Sequence, residues 1–184
     1  MTQTLTELAY LVKQNGFSYN ACMNQNSLHL VTQLATVVLE KHLKVCTAES
    51  CTGGLIAKSL TDIAGSSDWF ERGFVTYSNQ SKIEMIDVPE SVIEEYGAVS
   101  EAVASAMASG ALRNSAADVS IAVTGVAGPA GGSADKPVGT VWIAVASENL
   151  LITKKYLFGG DREAIRIATM LSAIEMMLQL LEIC

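Results

Sequence analysis

The sequence predicts an α/β fold: a three-layer α/β/α sandwich around a mixed, mostly parallel sheet of about five strands that ends in an antiparallel hairpin. Three observations predict it. Short apolar β-type runs alternate with helical patterns from Leu28 onward, which is the signature of parallel strands joined by right-handed crossovers. Two late β-rich runs are separated only by Glu148-Asn149, a hairpin-length connection that pairs strands antiparallel. The last segment reads as one long apolar helix.

The elements follow in order. Residues 1–27 form an N-terminal extension in which Leu5, Leu8, Leu11 and Val12 fit one face of a short helix, followed by a polar linker; a disordered tail is the alternative. Residues 28–184 form a single domain. It opens with a helix over about 28–43, a strand over 44–48, a helix over about 53–63 and a strand over 73–76. Short helices follow near 79–86 and 89–96, and Ser100 caps a longer one reaching about 115. Residues 119–123 give a third apolar strand, and a glycine-rich stretch from Gly125 to Gly132 leads to the hairpin strands 138–147 and 150–158. The closing helix, about 162–182, is apolar around its whole circumference. Burial against a second subunit, giving a homodimer or higher homo-oligomer, and deep burial within one chain both explain that pattern.

Composition narrows the function. A net charge of −7 argues against nucleic-acid partners, which need a basic face to release phosphate counterions. The start of the chain lacks the cation and apolar run of a secretory signal, and no apolar run near the ~20 residues of a membrane span is evident. Cys22, Cys46, Cys51 and Cys184 form no Cys-x-x-Cys pair and match no closely spaced histidines. The expectation is a reduced, cytoplasmic protein without membrane partners, metal or cofactor, acting on a small molecule.

Chemistry concentrates at the strand ends. Val45 to Ala57 runs from a strand through Glu49-Ser50-Cys51-Thr52-Gly53-Gly54 into a helix, placing a serine hydroxyl beside helix-start amides. Ser50 is either a nucleophile or an N-cap. In a parallel sheet Ser50, Tyr77 and Thr124-Gly125 all fall on the carboxyl edge, where open α/β sheets bind ligands. With Ser78 as a cap, Lys82 lies about one helical turn in and can point back toward Ser50; otherwise it is a solvated surface lysine. His42 precedes the first strand and Ser50 follows it, so they stand about 20 Å apart and a histidine triad is excluded. A serine nucleophile here needs a base other than histidine; Lys82 is the candidate, as in known Ser-Lys pairs, with Tyr77 placed to bond either group and relay the proton or else a plain strand aromatic. The neutral amine this requires is favoured by burial and by the positive end of a helix. Cys51 is the rival nucleophile, but with no histidine near it a packing or backbone N–H role fits better. The glycine-rich loop offers bare backbone to a ligand, and Arg162 with Arg166 at the last helix start suits an anion or pairs with the acidic surface.

Ala48 to Gly54, Val75 to Asn79 with Lys82, Thr124-Gly125 through Gly128-Pro129, Lys136 to Thr140, and Gly160-Asp161-Arg162 with Arg166 together resemble the nicotinamide-nucleotide amidases, the CinA C-terminal domain family. The resemblance runs from about Leu28 to the C-terminus and departs at Asp87, where glycine is expected. It implies an amidohydrolase that converts nicotinamide mononucleotide to nicotinic acid mononucleotide and ammonia. By the same resemblance Ser50 is the nucleophile, Tyr77 and Lys82 assist proton transfer, and Asn79, Thr124, Gly125, Arg162 and Arg166 form the substrate site. Backbone N–H groups from Cys51, Gly53 and Gly54 would hold the oxyanion. The competing expectation is a nucleotide-binding or regulatory module without turnover, linked to competence or DNA damage.

Overall fold

The computed structural model describes residues 25–183. The expected N-terminal helix and linker lie outside the described residues up to residue 24. Residues 25–27 already belong to the first described helix, α1 (Gln25–Glu40), which leads to β1 (Val45–Glu49) and α2 (Leu55–Thr61). A 3-10 turn at Ser66–Asp68 precedes β2 (Phe70–Val75), and three helices follow: α3 (Asn79–Ile86), α4 (Glu90–Tyr96) and α5 (Glu101–Arg113). The chain closes with β3 (Val119–Gly125), β4 (Thr140–Ser147), β5 (Leu151–Leu157) and α6 (Arg162–Ile183).

The sheet has the order β2-β1-β3-β4-β5. β1 pairs in parallel with β2 and β3, whereas β4 runs antiparallel to both β3 and β5. The mixed, five-stranded arrangement expected from the pattern is therefore the one found. β1 and β3 are central and buried on both faces, which is why they read as unbroken apolar runs rather than as alternations.

Side-chain alternation separates two cores. Val45, Ile121, Val123, Ile143 and Val145 face α1, α2 and α6, forming a core of branched residues. The opposite face presents Cys46, Ala48, Ala122, Ala144 and Ala146 to α3, α4 and α5. Those small residues let α5 lie close to the sheet, and Ser120 Oγ donates to Ala108 O (2.8 Å) across the gap. At Gly110 of α5 a Cβ would stand 1.9 Å from Ile86 O, so the packing of α5 on α3 admits only glycine there.

Two helix boundaries differ from expectation for local reasons, while α3 ends where it was expected to. α1 ends at Glu40 because His42 takes a left-handed conformation (φ 55°), which breaks the helix before β1. α2 starts at Leu55 because Gly53 and Gly54 adopt φ of 60° and 94°, making a turn that most L-residues would strain to copy. Asp87 ends α3 at φ 53°, the conformation that suits the glycine expected there. Its carboxylate accepts from Asn114 Nδ2 (2.8 Å), a tie a glycine would lack.

α6 also changes the membrane reading. Its 22 residues include a stretch of mean hydropathy 1.5, long and apolar enough by composition to cross a bilayer, which corrects the expectation that the chain has no apolar run of that length. Half of that stretch is buried in the fold. Ile165, Met170, Ala173, Ile174, Met177, Leu180 and Leu181 pack into the branched core with α1 and β4, while Ile167, Leu171 and Leu178 flank it. Burial within the chain thus accounts for one side of this helix, and Ile167, Leu171 and Leu178 are only partly covered.

Candidate active site

Parallel pairing of β1 with β2 and β3 brings three strand ends to one rim, where a cavity of about 250 Å³ opens. Ser50, Cys51, Tyr77, Asn79, Lys82, Thr124, Gly125 and Arg162 line it, with Ala98, Val99 and Ala127 completing the wall. Ser50 sits at its floor, 9% exposed, with its N–H donating to Val123 O (3.1 Å) so that the residue is clamped between β1 and β3.

Lys82 is the unusual member. Ser78 and Ser81 form a reciprocal capping box that fixes the start of α3: Ser81 N donates to Ser78 Oγ (3.0 Å) and Ser78 N donates to Ser81 Oγ (3.1 Å). Lys82, in the first turn, runs back along the helix start and is 1% exposed. Its Nζ lies 3.1 Å from Ser50 Oγ, 2.9 Å from Thr76 O and 3.4 Å from Ser78 O. Burial pushes the Lys82 pKa below its ordinary value, because the charged form loses water without gaining a carboxylate partner. Two carbonyl acceptors and one hydroxyl around the nitrogen suit a neutral amine, which has two hydrogens to donate and one lone pair to offer.

Cys51 is poorly suited to act instead. It is buried, and burial raises its thiol pKa to about 12, so the nucleophilic thiolate is disfavoured. Cys46, on the small-residue face, is raised to about 11 for the same reason.

Tyr77 lies elsewhere than between the serine and the lysine. The residue is 58% exposed and its hydroxyl accepts from Arg162 Nη2 (2.9 Å), while Lys82 reaches Ser50 directly. Arg162, the first residue of α6, also donates to Gly128 O (2.7 Å), so the pair spans the mouth of the cavity. Arg166 is not on the cavity wall; its guanidinium donates to Thr52 O and pins the turn after Ser50. Thr124 Oγ1 donates to Ala98 O (2.7 Å), tying the third strand end to the segment before α5. The glycine-rich loop owes its bareness to the chain itself, because a Cβ at Gly125 would stand 2.7 Å from Thr140 O and one at Gly128 would stand 2.5 Å from Val138 Cγ1.

The helix-start amides are the main departure from expectation. Gly53 N donates to Ser50 O (3.1 Å), and Gly54 N donates to the carboxylate of Glu49 (3.0 Å). Glu49 is fully buried, and its oxygens also accept from Ile56 N (3.0 Å), Ala57 N (2.8 Å) and Thr52 Oγ1 (2.7 Å). The positive end of α2 is therefore filled by the protein's own acid, so Gly53 and Gly54 have acceptors already. Among the described residues, the N–H groups of Cys51 and Thr52 have no acceptor on another residue, the Cys51 N–H bonding its own thiol. An acid immediately before the serine at a strand end was visible in the sequence, but its direction depends on where α2 begins.

Fold and site together define an α/β protein with a serine hydroxyl and a buried amine paired at the ligand-binding edge of its sheet. The chain belongs to the CinA C-terminal domain family, whose model matches residues 27–181. It is 54% identical over 147 residues to the nicotinamide-nucleotide amidohydrolase PncC of Enterobacter agglomerans, covering 79% of this chain and 90% of that one. Against the PncC of Escherichia coli strain K12 the identity is 52% over 140 residues, 76% of this chain and 85% of the relative. The crystal structure of competence/damage inducible protein CihA from Agrobacterium tumefaciens superposes with a TM-score of 0.85 at 44% identity, over 88% of this chain and 99% of that one.

Proposed function

We propose that the protein is an amidohydrolase that deamidates nicotinamide mononucleotide to nicotinic acid mononucleotide and ammonia, with Ser50 as nucleophile and Lys82 as its base. The observation that carries the reading is the buried Lys82 Nζ standing 3.1 Å from Ser50 Oγ. Support for the substrate comes from the two relatives named as nicotinamide-nucleotide amidohydrolases, each matched over most of its length.

Ser50 Oγ attacks the carboxamide carbon while its proton passes to Lys82 Nζ. The carbonyl π pair moves to oxygen, where the Cys51 N–H, which has no acceptor on another residue, is the donor we assign; one such donor contributes about 3 kcal/mol in serine hydrolases. Collapse of the tetrahedral species breaks the C–N bond, and Lys82 returns the proton to the departing nitrogen, which leaves as ammonia. Water then adds to the acyl carbon, giving a proton to Lys82, which hands it back to Ser50 Oγ as the acid is released. Tyr77 and Arg162 form the mouth of the cavity rather than its floor. At about 250 Å³ the cavity is below the ~300–1,000 Å³ of drug-sized ligand sites, so it suits the pyridine carboxamide with the ribose phosphate lying outward toward Arg162. Asn79 and Thr124 line the same wall and bound the ring.

The test is ammonia release from nicotinamide mononucleotide by the wild type and by Ser50→Ala. Loss of activity by about a thousandfold or more is expected, with folding unchanged. Nucleotide binding by the wild type without serine-dependent release would favour the alternative, a nucleotide-binding module.

A further inference from the structure

We infer that Glu49 is a positioning residue for Ser50: its carboxylate fills the N-terminus of α2 and fixes the Ser50–Gly54 turn, and with it the place of the Cys51 N–H beside the serine. The inference rests on the assignment of Ser50 as nucleophile.

Every amide from Gly53 to Lys58 has an acceptor within the protein. Gly53, Leu55 and Lys58 donate to Ser50 O (3.1 Å), Thr52 O (3.3 Å) and Gly54 O (2.9 Å), and Gly54, Ile56 and Ala57 donate to the Glu49 carboxylate. An external anion therefore has no open helix end to approach. The same carboxylate holds the Thr52 hydroxyl, and the carbonyl of Thr52 is in turn held by Arg166. The turn after the serine is thus tied from inside by Glu49 and from α6 by Arg166, with Gly53 and Gly54 supplying the left-handed backbone that closure demands. Glu49 has no lysine or arginine partner among the described residues and is balanced by hydrogen-bond donors and the helix dipole. A buried acid satisfied in this way is costly to alter, because a glutamine in its place turns an acceptor into a donor against the Ile56 or Ala57 amide.

The placement matters for rate because the distance between Ser50 Oγ, Lys82 Nζ and the oxyanion donor is set by this turn, and a misplacement near 1 Å can cost about a hundredfold. A residue that merely stabilised the fold would lower the melting temperature and leave each folded molecule as reactive as before.

Two readouts separate these cases. The first is steady-state release of ammonia from nicotinamide mononucleotide. The second is the rate at which a fluorophosphonate labels Ser50, a step in which Ser50 Oγ bonds phosphorus, fluoride departs and the proton passes to Lys82. For Glu49→Gln, at a temperature where circular dichroism shows it folded, we expect kcat and the labelling rate to fall together by about 10- to 100-fold with KM within about twofold. Folded Glu49→Gln with wild-type kcat and labelling overturns the inference. If that variant does not fold, Thr52→Val decides, since it removes one donor from the carboxylate and keeps the side-chain shape: a loss near tenfold in labelling supports the inference, and an unchanged rate overturns it. A wild type that is labelled at Ser50 but releases no ammonia refutes the substrate assignment while the labelling comparison still judges Glu49. A wild type that is not labelled at all refutes both.

Discussion

The two ends of the sheet bury different things. The amino end holds the larger cavity, about 1020 Å³, lined by Leu43, Leu112, Val119 and Leu150 where β1 and β3 begin and the β4–β5 turn closes. Its charged residues, Arg113, Asp118 and Glu148, are exposed. The carboxyl end holds about a quarter of that volume, yet Lys82, Glu49, Thr52, Thr76 and Thr124 are all essentially removed from water there. Burying an amine and an acid beside a serine disfavours the folded state unless each is fully partnered, and here each is. Space alone marks a concave surface, whereas desolvated and converging polar groups mark where chemistry can be done.

The sharpest way to break this contrast is to empty the carboxyl end of its amine. Lys82→Met keeps the length of the side chain and discards the proposed base, so ammonia release is expected to fall by about 10²- to 10⁴-fold. Its stability should move the other way. Burial holds the Lys82 pKa below that of an unfolded lysine, so between the two values the unfolded chain binds the extra proton and wild-type stability rises with pH. Denaturant titrations across alkaline pH should show that slope reduced in Lys82→Met. The same depressed pKa places the acidic limb of the wild-type kcat/KM profile below the ordinary lysine range, and a limb at or above that range would contradict a buried base.

A smaller effect belongs to the mouth of the site. Arg162→Ala removes the donors to Tyr77 and Gly128 and the one cation on the cavity wall apart from Lys82. KM for nicotinamide mononucleotide should rise about tenfold with kcat changed much less, and a kcat loss at constant KM would move Arg162 inward to the chemistry.

The smallest change is expected at the amino end. Asp118→Ala loses the carboxylate that accepts from Lys44 N (2.7 Å) at the start of β1. The melting temperature should drop by about 2–4 °C while kcat and KM stay as they are. A kinetic defect there would show that the two ends are coupled through β1 and β3.

How much of this was legible in the sequence can be read residue by residue. Parallel strand order places Ser50, Tyr77 and Thr124 on one rim whatever the side chains do, so their common edge followed from the alternation of patterns alone. The cap at Ser78 set Lys82 one turn into α3, which was enough to suggest that the two could meet. Tyr77 was expected to bridge serine and lysine, but it faces Arg162, because the orientation of a ring at a loop is fixed by an α6 residue 85 positions away. Glu49 carried no signal of its partners, since these depend on the left-handed pair Gly53 and Gly54 delaying the start of α2.

By itself the sequence determined the elements, their alternation and the edge at which polar groups collect, because hydrophobic period, glycine and capping residues act over a few positions. Only the tertiary structure decided that the Lys82 amine is dry, that Glu49 fills the end of α2, that Arg166 holds Thr52 rather than the cavity, and which side of α6 packs into the core. Those outcomes depend on desolvation and on contacts between segments far apart in the chain, and neither quantity exists until the sheet has closed and the helices have packed on it.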